Sequence, residues 1–176
     1  DIASLMGEQL TATVENLRAF IYKYDFDGYD VDYEYPETDE EWERFNNYLR
    51  AVAEALPDKQ LSVAAGSWNL HFDEDVMELI DRVELMTYDL FDAFGYHADF
   101  SGTANAVFQT INAGFQPEQI DIGLPFYSRP IDGSEYWGDY KAYAERLGRY
   151  NNLIIDNPFD HDGAPLATPQ YFNSVQ

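Results

Sequence analysis

Residues 28–35 read Gly-Tyr-Asp-Val-Asp-Tyr-Glu-Tyr, and no other stretch limits the fold so tightly. Successive side chains on a β-strand point to opposite faces. Gly28, Asp30, Asp32 and Glu34 therefore share one face, while Tyr29, Val31, Tyr33 and Tyr35 share the other. The apolar face can pack on helices. The acidic face cannot be ordinary core, because a buried unpaired carboxylate is very costly.

The acids follow one another at steps of about 6–7 Å. At that spacing they cannot all ionise cheaply, so a proton is shared and one pKa rises. Such an arrangement keeps a carboxylic acid protonated near neutral pH, ready to donate to a leaving group. Glu34 lies nearest the C-terminal end of the strand, with Asp30 and Asp32 deeper. Active sites of parallel α/β barrels lie at that end. A solvated acidic edge strand is the bland alternative, and the interleaved Tyr and Val speak for burial instead. A calcium loop fits poorly, since Tyr35-Pro36 stands where glycine is needed. A magnesium-binding acidic cluster stays open on these residues alone, although no phosphate-cradling glycine loop accompanies it.

The rest of the chain alternates helical and strand patterns. Val14, Leu17 and Ile21 recur at helical spacing within 11–23. Pro36 and Thr38-Asp39 read as a turn and helix cap. Glu40, Glu41 and Glu43 follow where the helix dipole favours acids, and Trp42, Phe45, Leu49, Val52 and Leu56 form a buried stripe. Strands are expected over 61–66, 83–88 and 120–126, and helices over 75–82 and 103–113. Short apolar strands separated by helices imply a parallel α/β sheet, either doubly wound or closed as a (β/α)8 barrel. Residues 128–168 read as a loop region, with a short helix near 140–147. Trp68 and Trp137 are open to two readings, sugar-stacking platforms or packing. His71 and His97 have no partner pattern.

The charge excludes some partners. With 33 acidic and 10 basic residues, net −23, the chain repels phosphate backbones and anionic membranes. A neutral glycan meets no such penalty, and 16% aromatic residues suit a sugar cleft as well as a core. The absence of Cys excludes disulfides and thiolate metal sites. No apolar run approaches membrane-spanning length, and residues 1–25 do not read as a signal peptide.

The run Asp27-Gly-Tyr-Asp30-Val-Asp32-Tyr-Glu34-Tyr-Pro36 resembles the DGxDxDxE signature of family-18 chitinases. Met86-Thr-Tyr88-Asp89 resembles that family's MxYD strand end, and Gly123-Leu-Pro125-Phe-Tyr127-Ser-Arg129 its GxPxYGR strand, in the family's order. The resemblance implies a (β/α)8 TIM barrel that cleaves β-1,4 links of N-acetylglucosamine polymers, chitin above all, with no cofactor and no metal. By position, Glu34 would be the acid. Asp32 would orient the substrate's acetamide, and Asp30 would share its proton. Tyr88 would bond the acetamide oxygen. Asp89, Tyr127 and Arg129 would bind sugar hydroxyls or brace the acids. Met86 and Ala65 would line the pocket floor, and Tyr35 would touch the leaving-group sugar. An endo-β-N-acetylglucosaminidase of glycoprotein glycans and a lectin-like chitin binder are the alternatives. The intact signature acids favour catalytic ancestry over the lectin.

A full barrel takes about 250 residues, and the visible strands look like barrel strands four to seven. Residues 1–176 therefore read as a partial catalytic domain. Open sheet edges expose pairing groups, so self-association through them is expected, or an open sheet, along with weak activity. The stretch after Arg129 looks too short for the full α+β insertion found in some members. An extracellular location is inferred from the polymeric substrate alone.

Overall fold

A computed structural model of the chain describes residues 2–134, 138–139, 153–156, 158 and 164–172. The helices are α1 (Ile2–Leu5), α2 (Leu10–Tyr24), α3 (Asp39–Ala55), α4 (Glu74–Leu79) and α5 (Phe100–Ala113), with a 3-10 turn at Pro117–Gln119. The strands are β1 (Gly28–Asp32), β2 (Gln60–Ala65), β3 (Arg82–Leu85), β4 (Ile120–Ile122), β5 (Tyr127–Pro130), β6 (Gly138–Asp139), β7 (Leu153–Ile155) and β8 (Gln170–Phe172). The chain divides into two compact units. One comprises Asp1–Leu85 with Val107–Asp121, the other Met86–Ala106 with Ile122–Gln176.

In the first unit, alternating strands and helices build a sheet of order β1-β2-β3-β4. β1 pairs with β2 and β2 with β3, both parallel. Parallel neighbours need a crossover, and α3 and α4 supply it here. α3 starts where the sequence places it. Thr38 accepts from the Glu41 N–H at 3.2 Å, and the Glu41 carboxylate accepts from the Thr38 N–H at 3.0 Å. This reciprocal cap satisfies donors that the first helical turn would leave orphaned.

The stripe of α3, namely Trp42, Phe45, Leu49 and Val52, is buried together with Val31, Leu61, Val63, Val83 and Leu85 of the sheet. One sheet face is thus covered by helices. Gly28 is required where it stands: a Cβ there would lie 2.5 Å from the Gln60 carbonyl oxygen. β1 and β2 approach too closely at that point for any larger residue.

In the second unit, β6, β5, β8 and β7 form an antiparallel sheet in that order. Residues 128–168, expected to be a loop region, thus contribute strand residues instead. Ser128 is fully buried, and its Oγ lies 3.1 Å from Gln170 Oε1, which fixes β5 against β8. The helix expected near 140–147 and Trp137 lie outside the described residues.

Candidate active site

Each unit carries one part of the constellation read from the sequence. In the first, β1 ends at Asp32 and the chain continues extended through Glu34, with a cis bond between Glu34 and Tyr35. Register fixes the faces: Asp30 pairs with Ser62, Asp32 with Ala64, and Ala64 with Glu84. Asp30, Asp32, Ser62, Ala64 and Glu84 therefore share the face opposite the helices. The acid face survives as expected, but Asp30, Asp32 and Glu34 are all exposed. The expected depth of Asp30 and Asp32 is corrected accordingly. The Val31–Leu61–Val63 face takes the helix cover, and none is left for the acids.

The acids are coupled nonetheless. Asp32 is held above the ordinary carboxylate range, first by loss of hydration, then by the charges of Glu34 and Asp30 and by a hydrogen bond with Glu34. Asp30 instead accepts from Ser62 Oγ at 2.5 Å. The hydrogen bond that raises Asp32 is thus with Glu34, while Asp30 acts on Asp32 through its charge.

This coupling has a measurable consequence. A carboxyl whose folded pKa exceeds its unfolded one binds protons more tightly in the folded state. Its destabilising effect appears as pH rises through the window between the two values. Asp32→Asn should therefore raise the unfolding temperature at pH 7, and the gain should vanish near pH 3. Thermal scans at both pH values check this, and an unchanged or lowered midpoint at pH 7 would contradict it.

Ala65 is a correction. It is buried on the helix-facing side with Leu61 and Val63, so it cannot line a pocket beside the acids. Ala64, one residue earlier, takes the acid face. Tyr35 meets Trp68 edge-on with ring centroids 5.8 Å apart, and Trp68 is 54% exposed. Gly66 makes room, since a Cβ there would reach the Trp68 ring at 2.5 Å.

Ser62 and Glu84 were not singled out in the sequence. Glu84 is also held above the usual range, by desolvation first and then by Asp30 and Asp121. Each is a polar residue flanked on both sides by apolar ones, and laying the strands side by side in parallel register would have found both. Among the described residues, no three or more His, Cys, Asp or Glu stand together as a metal site.

In the second unit, the Tyr127 hydroxyl donates to Asp89 Oδ1 at 3.0 Å, and Arg129 Nη1 lies 3.4 Å from Asp89 Oδ2. The Tyr88 and Tyr127 rings meet edge-on at 6.4 Å. Burial, then the Asp89 charge and hydrogen bond, push the Tyr127 hydroxyl well up, so it stays a donor. Asp89 holds a left-handed backbone, φ 58°. Met86 is buried. Tyr88, Asp89, Tyr127 and Arg129 thus lie together, and His97, assigned no role from sequence, joins them.

An acid-lined strand end on a parallel α/β sheet, accompanied by a Tyr–Asp–Arg cluster, defines a chain of the glycosidase-barrel type. The profile described as "Glycosyl hydrolases family 18" matches residues 4–170, and the chain belongs to that family. "Probable chitinase 2" of Drosophila melanogaster is 29% identical over 138 residues, covering 66% of this chain and 28% of that protein. The chitinase domain of the spore coat protein CotE from Clostridium difficile superposes with TM-score 0.68 at 24% identity, covering 99% of this chain and 57% of that one. A Cycas revoluta family-18 chitinase variant solved with (GlcNAc)4 gives TM-score 0.69 at 20% identity, covering 94% and 61%. These folds are (β/α)8 barrels, and the four-stranded sheet here is part of one, with no closed barrel among the described residues. The chain spans little more than half of those structures.

Proposed function

We propose that this chain carries the catalytic strand of a glycosidase that cleaves β-1,4-linked N-acetylglucosamine with retention. The observation that carries the reading is the exposed row Asp30, Asp32, Glu34, with Asp32 held above the ordinary carboxylate range and hydrogen-bonded to Glu34. Glu34 gives its proton to the glycosidic oxygen as that bond breaks. The nucleophile is the substrate's own 2-acetamido oxygen, the substrate-assisted exception among glycosidases. Asp32 accepts the acetamide N–H and steadies the positive oxazolinium. Water then opens that ion, with Glu34 taking back a proton. Asp30, tied to Ser62, tunes Asp32 by its charge.

Tyr88 bonds the acetamide oxygen, where preorganised donors count most. Asp89, Tyr127 and Arg129 meet sugar hydroxyls, Met86 backs the pocket and Tyr35 meets the leaving-group sugar. The Cycas relative bound to (GlcNAc)4 supports the substrate class. An insoluble polymer would place the reaction outside the cell.

The full-length protein containing this sequence should cleave chitotetraose and leave a high-mannose glycan intact. The reverse preference would favour the endo-glycosidase alternative. The 176-residue chain alone should turn over weakly and self-associate through its open sheet edges. Robust chitin hydrolysis by that chain as a monomer would contradict the partial-barrel reading.

A further inference from the structure

His97 is fully buried, yet its ring edge faces the Asp89 carboxylate: Nδ1 lies 3.6 Å from Oδ1. Aromatic rings hold it from several sides. It stacks on Tyr127 with centroids 5.7 Å apart and planes at 22°, and meets Tyr171 edge-on at 6.1 Å. Tyr171 is itself stacked on Tyr96 at 4.4 Å. A backbone bridge between Phe91 and His97 closes the segment that begins at Asp89, and the Arg129 guanidinium lies over the Phe91 ring at 5.4 Å. A ring clamped this way has little rotamer freedom, and so presents a fixed edge to the carboxylate.

We propose that His97 is a positioning residue for Asp89, its clamped ring fixing the orientation in which that carboxylate meets a sugar hydroxyl. The proposal rests on the functional reading of Asp89 given above. Three groups converge on Asp89, namely the Tyr127 hydroxyl, Arg129 and His97. They constrain a residue whose backbone is already in a conformation that non-glycine residues adopt at a cost. Burial pushes the imidazole down to about 4, the Asp89 charge raising it and Arg129 lowering it. At neutral pH the ring is therefore uncharged. It acts through shape and the polarity of the ring edge that faces Asp89, and leaves the charge balance of Asp89 and Arg129 undisturbed.

Two substitutions separate this role from simple filling. His97→Phe keeps the ring and its stack on Tyr127 but removes both nitrogens. His97→Asn loses the ring but places an amide nitrogen near the Nδ1 position. If His97 positions Asp89, His97→Phe should weaken chitotetraose binding about threefold, less than the loss of a full hydrogen bond to a charged group would cost, because Nδ1 at 3.6 Å is a close polar contact, with the unfolding midpoint nearly unchanged. His97→Asn should recover part of that loss despite being less stable. In the ligand-free chain, the 13C resonance of the Asp89 side-chain carboxyl should move in His97→Phe and return towards wild type in His97→Asn.

Wild-type affinity in His97→Phe, or an unmoved Asp89 resonance, would overturn the proposal. Asp89→Ala serves as the control. If it binds chitotetraose normally, the functional reading of Asp89 is at fault. If it binds weakly while His97→Phe binds normally, only the His97 role falls.

Discussion

Glu34→Gln in the full-length protein should cut chitooligosaccharide cleavage about a hundred- to ten-thousand-fold, the usual contribution of a positioned general acid. The amide keeps the shape and hydrogen-bonding reach of the carboxyl but has no proton to give to a departing oxygen. Glu34 is exposed and lies past the end of β1, so packing gives no reason for the fold to suffer. The unfolding midpoint should stay within a few degrees of wild type, and chitotetraose should still bind. The coupling on the acid face adds a second signature. The Glu34 charge is among the causes that raise Asp32. Removing it should let Asp32 ionise at lower pH, so the residual rate should follow a different pH profile as well as a lower ceiling. Cleavage assays from pH 4 to 9 read both effects. Near-normal rates would mean that another group donates the proton.

The sequence disclosed some of this constellation and withheld the rest, for physical reasons. A strand's alternation is local, so the shared face of Asp30, Asp32 and Glu34 could be read directly, as could the capped start of α3 from Thr38 and Glu41. How exposed that face is could not, because exposure depends on what the rest of the polypeptide lays over it. Ala65 was misplaced because two consecutive alanines carry no polarity with which to choose a side. Only the phase set by Leu61 and Val63 settles it, and that phase turns Ala65 to the helices. The strand expected over 120–126 stops at Ile122, and Gly123 and Pro125 follow, residues that weaken or cannot donate to a ladder. His97 had no legible signal. Its partners are Asp89, eight positions before it, Tyr127, and Tyr171, which reaches it only through the β5–β8 pairing. A lone histidine gains meaning only when such non-local contacts are known.

The scaffold behind the acids predicts the second large effect. Phe45→Ala should cost about 3–5 kcal/mol of folding stability, the range for emptying a buried phenylalanine site. Phe45 is 2% exposed. Its ring meets Tyr33 edge-on at 5.5 Å and lies 5.8 Å from both Trp42 and Phe72. Phe72 in turn meets Phe115 at 5.6 Å. The cavity would open at the centre of an aromatic cluster whose rigid rings collapse poorly into it. A domain of this kind has about 5–15 kcal/mol to lose, so the variant should unfold at markedly lower urea. The functional link runs through Tyr33, which lies between Asp32 and Glu34 and points to the opposite face. Loosening its anchor loosens the register of both acids. Phe45→Ala should therefore lower the hydrogen-exchange protection of the β1 amides more than that of β3. Phe45→Leu, which refills most of the volume, should restore most of both losses. A stability loss below about 1 kcal/mol in Phe45→Ala would show that the cluster is not what holds the catalytic strand in place.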